Sequence, residues 1–405
     1  MDYDLVVIGA GWAGFNAAKR AKELGLKAAL VEKDKIGGTC LNRGCIPTKA
    51  LIQSAKVFSL LKKSSNFGVR ADNLQINFSE VRLRKEKIIS SLSKGIEFML
   101  KGIDIIPGEA KVISGNCVEV SGRKIEAKSV LIASGSRPIE LKSFKFDGKK
   151  ILSSDDILEL EKIPASLLII GGGVIGSEFA SLFSNLGAQV TLVEKLPQLL
   201  PGEDSEVARK LEQIFKKKGI KVNTNTDATT LNLADYSQVL VCVGRVPVEK
   251  IEVDEFLRTK DAGVFAAGDC TGKIQLAHYA AYQGKIAAEN IANPQNLKKC
   301  DNANIPSCIF TDPEIASVGQ KEGQVHRFDF LGSGMARILD EAEGFIKIIS
   351  EESSGRVIGA SIIGPKATEL ISVLTLAVSG ALTVPQLKNT VFAHPTLSES
   401  IHDCL

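Results

Sequence analysis

The chain has 405 residues, 44% of them hydrophobic and 24% charged, with a formal net charge of +3 and eight cysteines. That length allows two or three domains with cores of their own, and the composition is that of an ordinary globular protein. Near-neutral charge argues against nucleic acid as a partner, and the cysteines are too sparse for a disulfide scaffold. Asp4 already reads as folding material, so no signal or transit segment is expected before it. The most apolar late stretch, SVLTLAVSGALTV, is too short and too rich in Ser and Thr to span a bilayer. The expectation is a cytoplasmic protein with no membrane partner, in a reducing compartment where a structural disulfide is disfavoured.

The first predicted elements lie between Asp4 and Lys33. Leu5 to Ile8 reads as a buried strand, Ala13 to Leu24 as a helix ended by Gly25, and Ala28 to Val31 as a second strand. Between strand and helix stand Gly9, Gly11 and Gly14 in the pattern G-x-G-x-x-G. The first glycine permits the turn, the second admits a pyrophosphate to the backbone, and the third lets helix pack on strand. The phosphates then face the free N–H groups of a helix N-terminus. Glu32, at the end of the second strand, can accept hydrogen bonds from a ribose diol.

GGTCLNRGC follows, with Cys40 and Cys45 five positions apart. A zinc site needs a second close ligand pair, and Cys300 and Cys308 are too far apart to supply one. A structural staple is disfavoured in a reducing cell. A redox pair has local chemistry behind it. Pro47 suits the first turn of a helix, so Cys45 sits at that helix's N-terminus, where the dipole favours thiolate. Lys49 lies one turn on, on the same face, and adds positive charge.

SLLIIGGGVIGSEFASLFSNLGAQVTLVEK (166–195) repeats the first device with Gly171, Gly173, Gly176 and Glu194. In both copies the acid follows the first glycine at the same spacing, 9 to 32 and 171 to 194. Two complete copies imply two bound dinucleotides. Glu194 repels a 2′-phosphate and no arginine follows it, so NAD is expected at the second site. Further on, Lys216, Lys217 and Lys218 precede Gly219 at a helix end and read as a solvated face suited to the dipole. GVFAAGDC (263–270) reads as a strand ending in Gly268 and Asp269, whose carboxylate can bind another part of a long cofactor, which points to FAD at the first site. Near the C-terminus ELISVLTLAVSGAL reads as a helix with a broad apolar face. His394 is followed by Glu399, a pairing not seen in sequence for His278, His326 or His402.

GGTCLNRGCIPTK, LIASGSRP (131–138), VGRVP (243–247), AAGDC, LAHYAAYQG (276–284), TDPEIASVG (311–319) and HPTLSE (394–399) together resemble the flavoprotein disulfide reductases over nearly the whole chain. Within that family the match is best to the branch that oxidises protein-bound dihydrolipoamide with NAD. The resemblance implies an α/β fold with two Rossmann-like dinucleotide-binding domains plus a C-terminal α+β dimerisation domain. The boundaries expected are 1–145 for the first part of the FAD domain, 146–244 for a shortened NAD domain, 245–298 for the returning FAD segment and 299–405 for the dimerisation domain.

It also implies roles. Cys40 would exchange with the dithiol, Cys45 would lie against the flavin, and Glu178 would pair with Lys49. His394 would be the acid–base group, oriented by Glu399. The FAD contacts would include Gly9, Gly11, Gly14, Glu32, Thr39, Lys49, Ala110, Ser134, Gly135, Asp269 and Ala277. Those of NAD would include Gly171, Gly173, Gly176, Glu178, Glu194 and Gly244. No metal is implied. The partners implied are a second copy of the chain and the lipoyl domain of a 2-oxo acid dehydrogenase or glycine cleavage complex. The alternatives are a related NAD(P)H-dependent disulfide reductase acting on another thiol, and a flavin-binding subunit whose reductase activity is lost.

The chain departs from the family by being compact. About one strand pair fits between Gly219 and Gly244, where relatives carry a longer β-meander, which puts the cover of the second sheet's back face in doubt. Trp12 stands where relatives often have proline, and Val248 where they usually have asparagine.

Overall fold

The computed structural model describes all 405 residues. The chain divides into two units, one of residues 1–50, 80–139 and 245–302, the other of 51–79, 140–244 and 303–405.

In the first unit Leu5, Val6 and Val7 fill the middle of β1 (Tyr3–Ile8) and are wholly buried. β1 pairs in parallel with β2 (Ala28–Glu32) and β6 (Arg123–Ile132). β3 (Asp104–Pro107) extends the sheet beyond β2, and β14 (Val264–Ala266) beyond β6. β4 (Ala110–Ser114) and β5 (Cys117–Val120) form an antiparallel meander that runs into β6. Alternation along β1 separates two cores. Leu5 and Val7 pack with α1 (Trp12–Glu23) and α7 (Ala277–Ala292), while Val6 packs with Val118, Val120 and Ile125 of the meander. α2 (Gly38–Arg43) and the N-terminal end of α3 (Cys45–Lys62) follow β2, and α4 (Phe78–Met99) precedes β3. A ribbon of β7 (Ser136–Pro138) with β13 (Arg245–Pro247) lies where the chain leaves and re-enters this unit.

The second unit holds two sheets. One is wholly parallel, ordered β11–β10–β9–β12–β8: β8 (Ile151–Leu152), β9 (Ser166–Ile170), β10 (Gln189–Val193), β11 (Lys221–Asn223) and β12 (Gln238–Val241). α5 (Val174–Asn185) follows β9, and α6 (Ser205–Lys217) precedes β11. The other is antiparallel, ordered β15–β16–β19–β18–β17: β15 (Ser307–Ile309), β16 (Glu314–Gly319), β17 (Gln324–Asp329), β18 (Phe345–Ser350) and β19 (Val357–Gly364). α8 (Gly334–Ile338), α9 (Ala367–Ser379), α10 (Val384–Lys388) and α11 (Glu399–Asp403) accompany it. α9 buries Leu370, Ile371, Leu374 and Ala377 in that sheet's core, whereas Leu376 is 71% exposed. The fold is α/β, with two Rossmann-like sheets and a C-terminal α+β part.

Two expectations are corrected. No strand pair forms between Gly219 and Gly244, because β11 and β12 each join the parallel sheet instead. Between them run two 3-10 turns, capped where Asp227 accepts from Thr229 N at 2.9 Å and Asn232 from Ala234 N at 3.2 Å. Leu231, Leu233, Tyr236 and Phe144 pack on Leu168, Ile170, Val239 and Val241, so the trimmed segment still covers that face. Nor are the three lysines a uniform solvated face. Lys216 pairs with Glu212 at 2.6 Å, Lys217 with Glu343 at 2.8 Å, and the half-buried Lys218 with Asp312 at 2.5 Å.

Candidate active site

Both glycine turns have one geometry. Gly9 has φ +98° and Gly171 φ +112°, where a side chain would also strike the carbonyl of Ala133 or Cys242. A Cβ at Gly14 would lie 1.8 Å from Gly9 O, and one at Gly176 would lie 1.9 Å from Gly171 O, so helix and strand approach to backbone contact. Gly11 and Gly173 have open space in front of them. Each is the N-cap of its helix, without a side-chain cap, and neither helix has an acid in its first turn. Both ends therefore suit an anion such as a dinucleotide pyrophosphate. Glu32 accepts from Ala10 N at 2.6 Å and Asp34 N at 2.8 Å. Glu194 accepts from Gly172 N at 2.6 Å and Leu196 N at 2.8 Å. The acids thus hold their own loops, a task their spacing alone did not disclose. Gly244, at φ +113°, follows β12.

The cysteine segment lies directly on the first loop. Gly37 N donates to Ala10 O at 2.8 Å, and a Cβ at Gly38 would lie 2.7 Å from Gly11 Cα. Only glycine permits that approach. α2 carries Thr39 and Cys40, Gly44 ends it, and Cys45 is the first residue of α3. Thr48 N and Oγ1 donate to Gly44 O at 3.1 and 2.6 Å, closing the first turn of α3. The Cys40 and Cys45 sulfurs are hydrogen-bonded to each other. That bond, then burial, then the charge of Cys45 hold the Cys40 thiol well above the ordinary range. The Trp12 indole and the Lys49 ammonium act in the opposite direction. Cysteine pair, lysine and glycine loop therefore meet in the first unit.

The remaining residues of this region come from the ends of β6, β7 and β14. Ser134 Oγ is buried without a hydrogen-bond partner, and Gly135, at φ +74°, has open space before it. Asp269 begins a 3-10 turn after β14, and its Oδ2 accepts from Ser136 Oγ at 2.6 Å. Gly268 N donates to Oε1 of the buried Gln283 at 2.7 Å. Ala110 opens β4 and Ala277 opens α7. Ser136 and Gln283 escaped the sequence reading, since a serine and a glutamine carry no distinctive pattern.

In the second unit Glu178 lies on α5 and is 4% exposed. Its Oε1 accepts from Phe310 N at 2.9 Å, a partner the sequence did not indicate. His394 Nδ1 lies 2.8 Å from Glu399 Oε1, and the histidine side chain is 81% exposed. Glu399 Oε2 accepts from Thr396 N at 2.8 Å. That amide, then His394, holds the Glu399 carboxyl below its usual range. The geometry suits a histidine fixed in one tautomer with its other nitrogen outward. His394 is not alone in having an acid nearby, because His402 Nδ1 lies 3.6 Å from the adjacent Asp403. His326 instead faces Ser350 Oγ at 3.0 Å.

Residues 3–284 match the family model described as pyridine nucleotide-disulphide oxidoreductase, and residues 305–404 match the dimerisation domain of the same family. A dihydrolipoyl dehydrogenase of Bacillus subtilis is 38% identical, over 99% of this chain and 97% of its own length. One of Chlamydia pneumoniae is 38% identical, over 98% of this chain and 95% of its own. The Bacillus alignment runs to 450 positions against 405 residues here, so that relative carries segments this chain lacks. Among solved structures, LpdA from Mycobacterium tuberculosis has a TM-score of 0.90 at 28% identity, covering 99% of this chain and 98% of its own. RclA from Escherichia coli, an HOCl-induced flavoprotein disulfide reductase, has a TM-score of 0.87 at 26% identity, covering 99% of each chain.

Proposed function

The chain belongs to the pyridine nucleotide-disulphide oxidoreductase family, and from that premise we propose that it is an NAD-dependent dihydrolipoamide dehydrogenase. The observation that carries this reading is the pair Cys40 and Cys45, in mutual hydrogen-bond contact under the influence of Lys49 and seated on a dinucleotide loop. The names of the relatives support the substrate, and Glu194 supports NAD over NADP.

In the oxidised protein Cys40 and Cys45 form a disulfide. His394, supplied by the second copy in a homodimer, takes a proton from dihydrolipoamide, whose thiolate attacks Cys40 Sγ and expels Cys45 as thiolate. The second substrate sulfur displaces Cys40 and gives its proton to the departing Cys40 sulfur, so the lipoamide ring closes and two electrons are left on the cysteines. The helix N-terminus and Lys49 stabilise the sulfur charge. Bound FAD supplies the route by which these electrons reach NAD as hydride. Gly9, Gly11, Gly14, Glu32, Ser134, Gly135 and Asp269 would hold FAD, while Gly171, Gly173, Gly176, Glu178, Glu194 and Gly244 would hold NAD. The first unit, made of residues 1–50, 80–139 and 245–302, is then the FAD domain, and residues 146–244 are the NAD domain.

A lipoyl domain is the carrier this chemistry calls for. Anaerobic and aerobic turnover with dihydrolipoamide, against glutathione-like and other dithiols and with NAD and NADP in parallel, tests the reading. NAD-dependent oxidation of dihydrolipoamide is expected to dominate; turnover confined to another thiol would replace it with the second reading, which the likeness to RclA favours.

A further inference from the structure

We propose that Ser136 and Arg245 are positioning residues for Asp269, forming a relay that aims its carboxylate at the flavin. The inference rests on the reading of the first site as the FAD site.

The hydrogen-bond directions in the relay follow from chemistry alone. Arg245 can only donate, and an ionised Asp269 can only accept. Arg245 Nε donates to Ser136 Oγ at 2.9 Å, and its terminal nitrogen donates to Ser136 O at 2.8 Å. The single hydroxyl proton of Ser136 is therefore committed to Asp269 Oδ2, at 2.6 Å. A hydroxyl that accepts from a cation while donating to an anion is polarised in one sense, and both bonds are charge-assisted. Ser136 is 9% exposed, so little solvent competes. Bound in this way through Oδ2, Asp269 can present Oδ1 to a ligand hydroxyl.

The backbone beneath Asp269 is held from the opposite side. Gly268 N is bound by Gln283, and Gly268 O accepts from Thr271 N at 3.0 Å and Thr271 Oγ1 at 2.8 Å. Ser136 and Arg245 are the first residues of β7 and β13. Val248 N donates to Gly135 O at 3.1 Å and ties the end of the ribbon next to Ser136, which pairs with Pro247. The carboxylate is thus anchored to the ribbon at which the chain leaves and re-enters the first unit.

A double-mutant cycle on FAD dissociation from the holoenzyme, read by the return of free-flavin fluorescence on dilution, tests the relay. Asp269→Ala and Ser136→Ala are each expected to weaken FAD binding by about tenfold or more. Combined, they should weaken it no more than about twofold beyond Asp269→Ala alone, because Ser136 acts only through Asp269. Ser136→Thr keeps the hydroxyl and should restore affinity. Arg245→Gln provides a second cycle with the same expected non-additivity, should either small-residue variant fold poorly. Melting of the apoprotein should be unchanged by Ser136→Ala, which separates positioning from support of the ribbon. Losses that multiply, or FAD affinity indifferent to Ser136 and Arg245, overturn the relay while leaving the FAD site standing. An unmodified protein that takes up no FAD overturns both.

Discussion

The carboxylate of Glu194 accepts the backbone N–H of Gly172 at 2.6 Å. Glu32 and Ala10 repeat the arrangement at the same distance in the other glycine loop. One acid in each copy therefore closes its own loop, and under the proposed function it has a second task, to accept from the ribose.

Those tasks separate by substitution. Glu194→Arg removes a repulsion toward a 2′-phosphate and adds a partner for it, so the preference for NAD over NADP should shrink or reverse. Glu194→Ala should shrink it less, but leaves the Gly172 amide unpaired at a cost of about 1–3 kcal/mol. Steady-state kinetics with both cofactors, alongside denaturant titration, reads the two effects. Equal use of NAD and NADP by the unmodified protein would contradict the ribose task.

The cysteine pair makes a spectroscopic prediction. Two-electron reduction under anaerobic conditions should give a long-wavelength thiolate–flavin band, lost in Cys45→Ser. Cys40→Ser should show the band without reductant, since Cys45 stands at the start of α3 and can no longer form a disulfide. Cys40 has its own pH signature. Its hydrogen bond to Cys45 is the leading cause of its raised pKa, so Cys45→Ala should lower that pKa and move alkylation of Cys40 to lower pH. An unchanged pH profile for alkylation of Cys40 would contradict the coupling.

Lys347 on β18 lies 2.8 Å from Asp204, the N-cap of α6, and 2.9 Å from Glu206. Burial raises the Asp204 pKa, but Lys347 and the amides of Glu206 and Val207 outweigh it and hold the carboxyl below its usual range. A depressed folded pKa contributes stability above the unfolded value of about 3.9, and that stability is lost as pH falls through the folded value. Lys347→Ala should therefore cost about 3 kcal/mol at neutral pH, by leaving a buried charge unpaired. The gap from the unmodified protein should close on acidification below pH ~4. Urea titrations at neutral and acid pH measure it, and a pH-independent gap would remove the ion pair as its cause.

His394 is expected to act across the dimer. Cys40→Ser and His394→Ala chains, each inactive, are mixed in equal amounts and refolded together. Random pairing makes about half the dimers mixed, and in each of these one site is intact while the other carries both lesions. Activity should return to about a quarter of the unmodified level. A mixture that stays inactive, with mixed dimers shown to have formed, would place both residues of a site in one chain.

Both glycine loops and the cysteine helix are legible in the sequence because their constraints are local. A left-handed turn needs glycine at Gly9 and Gly171, and the helix beginning at Cys45 is announced by Pro47 two residues on. Periodicity likewise locates β1, β2, β9, β10 and α9. The segment between Gly219 and Gly244 is deceptive, because Leu231 and Leu233 alternate as in a short strand but serve, with Tyr236, as a cover over the parallel sheet.

What only the tertiary structure decided are pairings across long separations. Ser136 meets Asp269 across 133 positions, Glu178 meets the Phe310 amide across 132, and Lys347 meets Asp204 across 143. No local propensity selects one distant serine, amide or lysine over another. These partners are chosen when strands in register bring their ends together and burial removes the water that would otherwise satisfy each polar group.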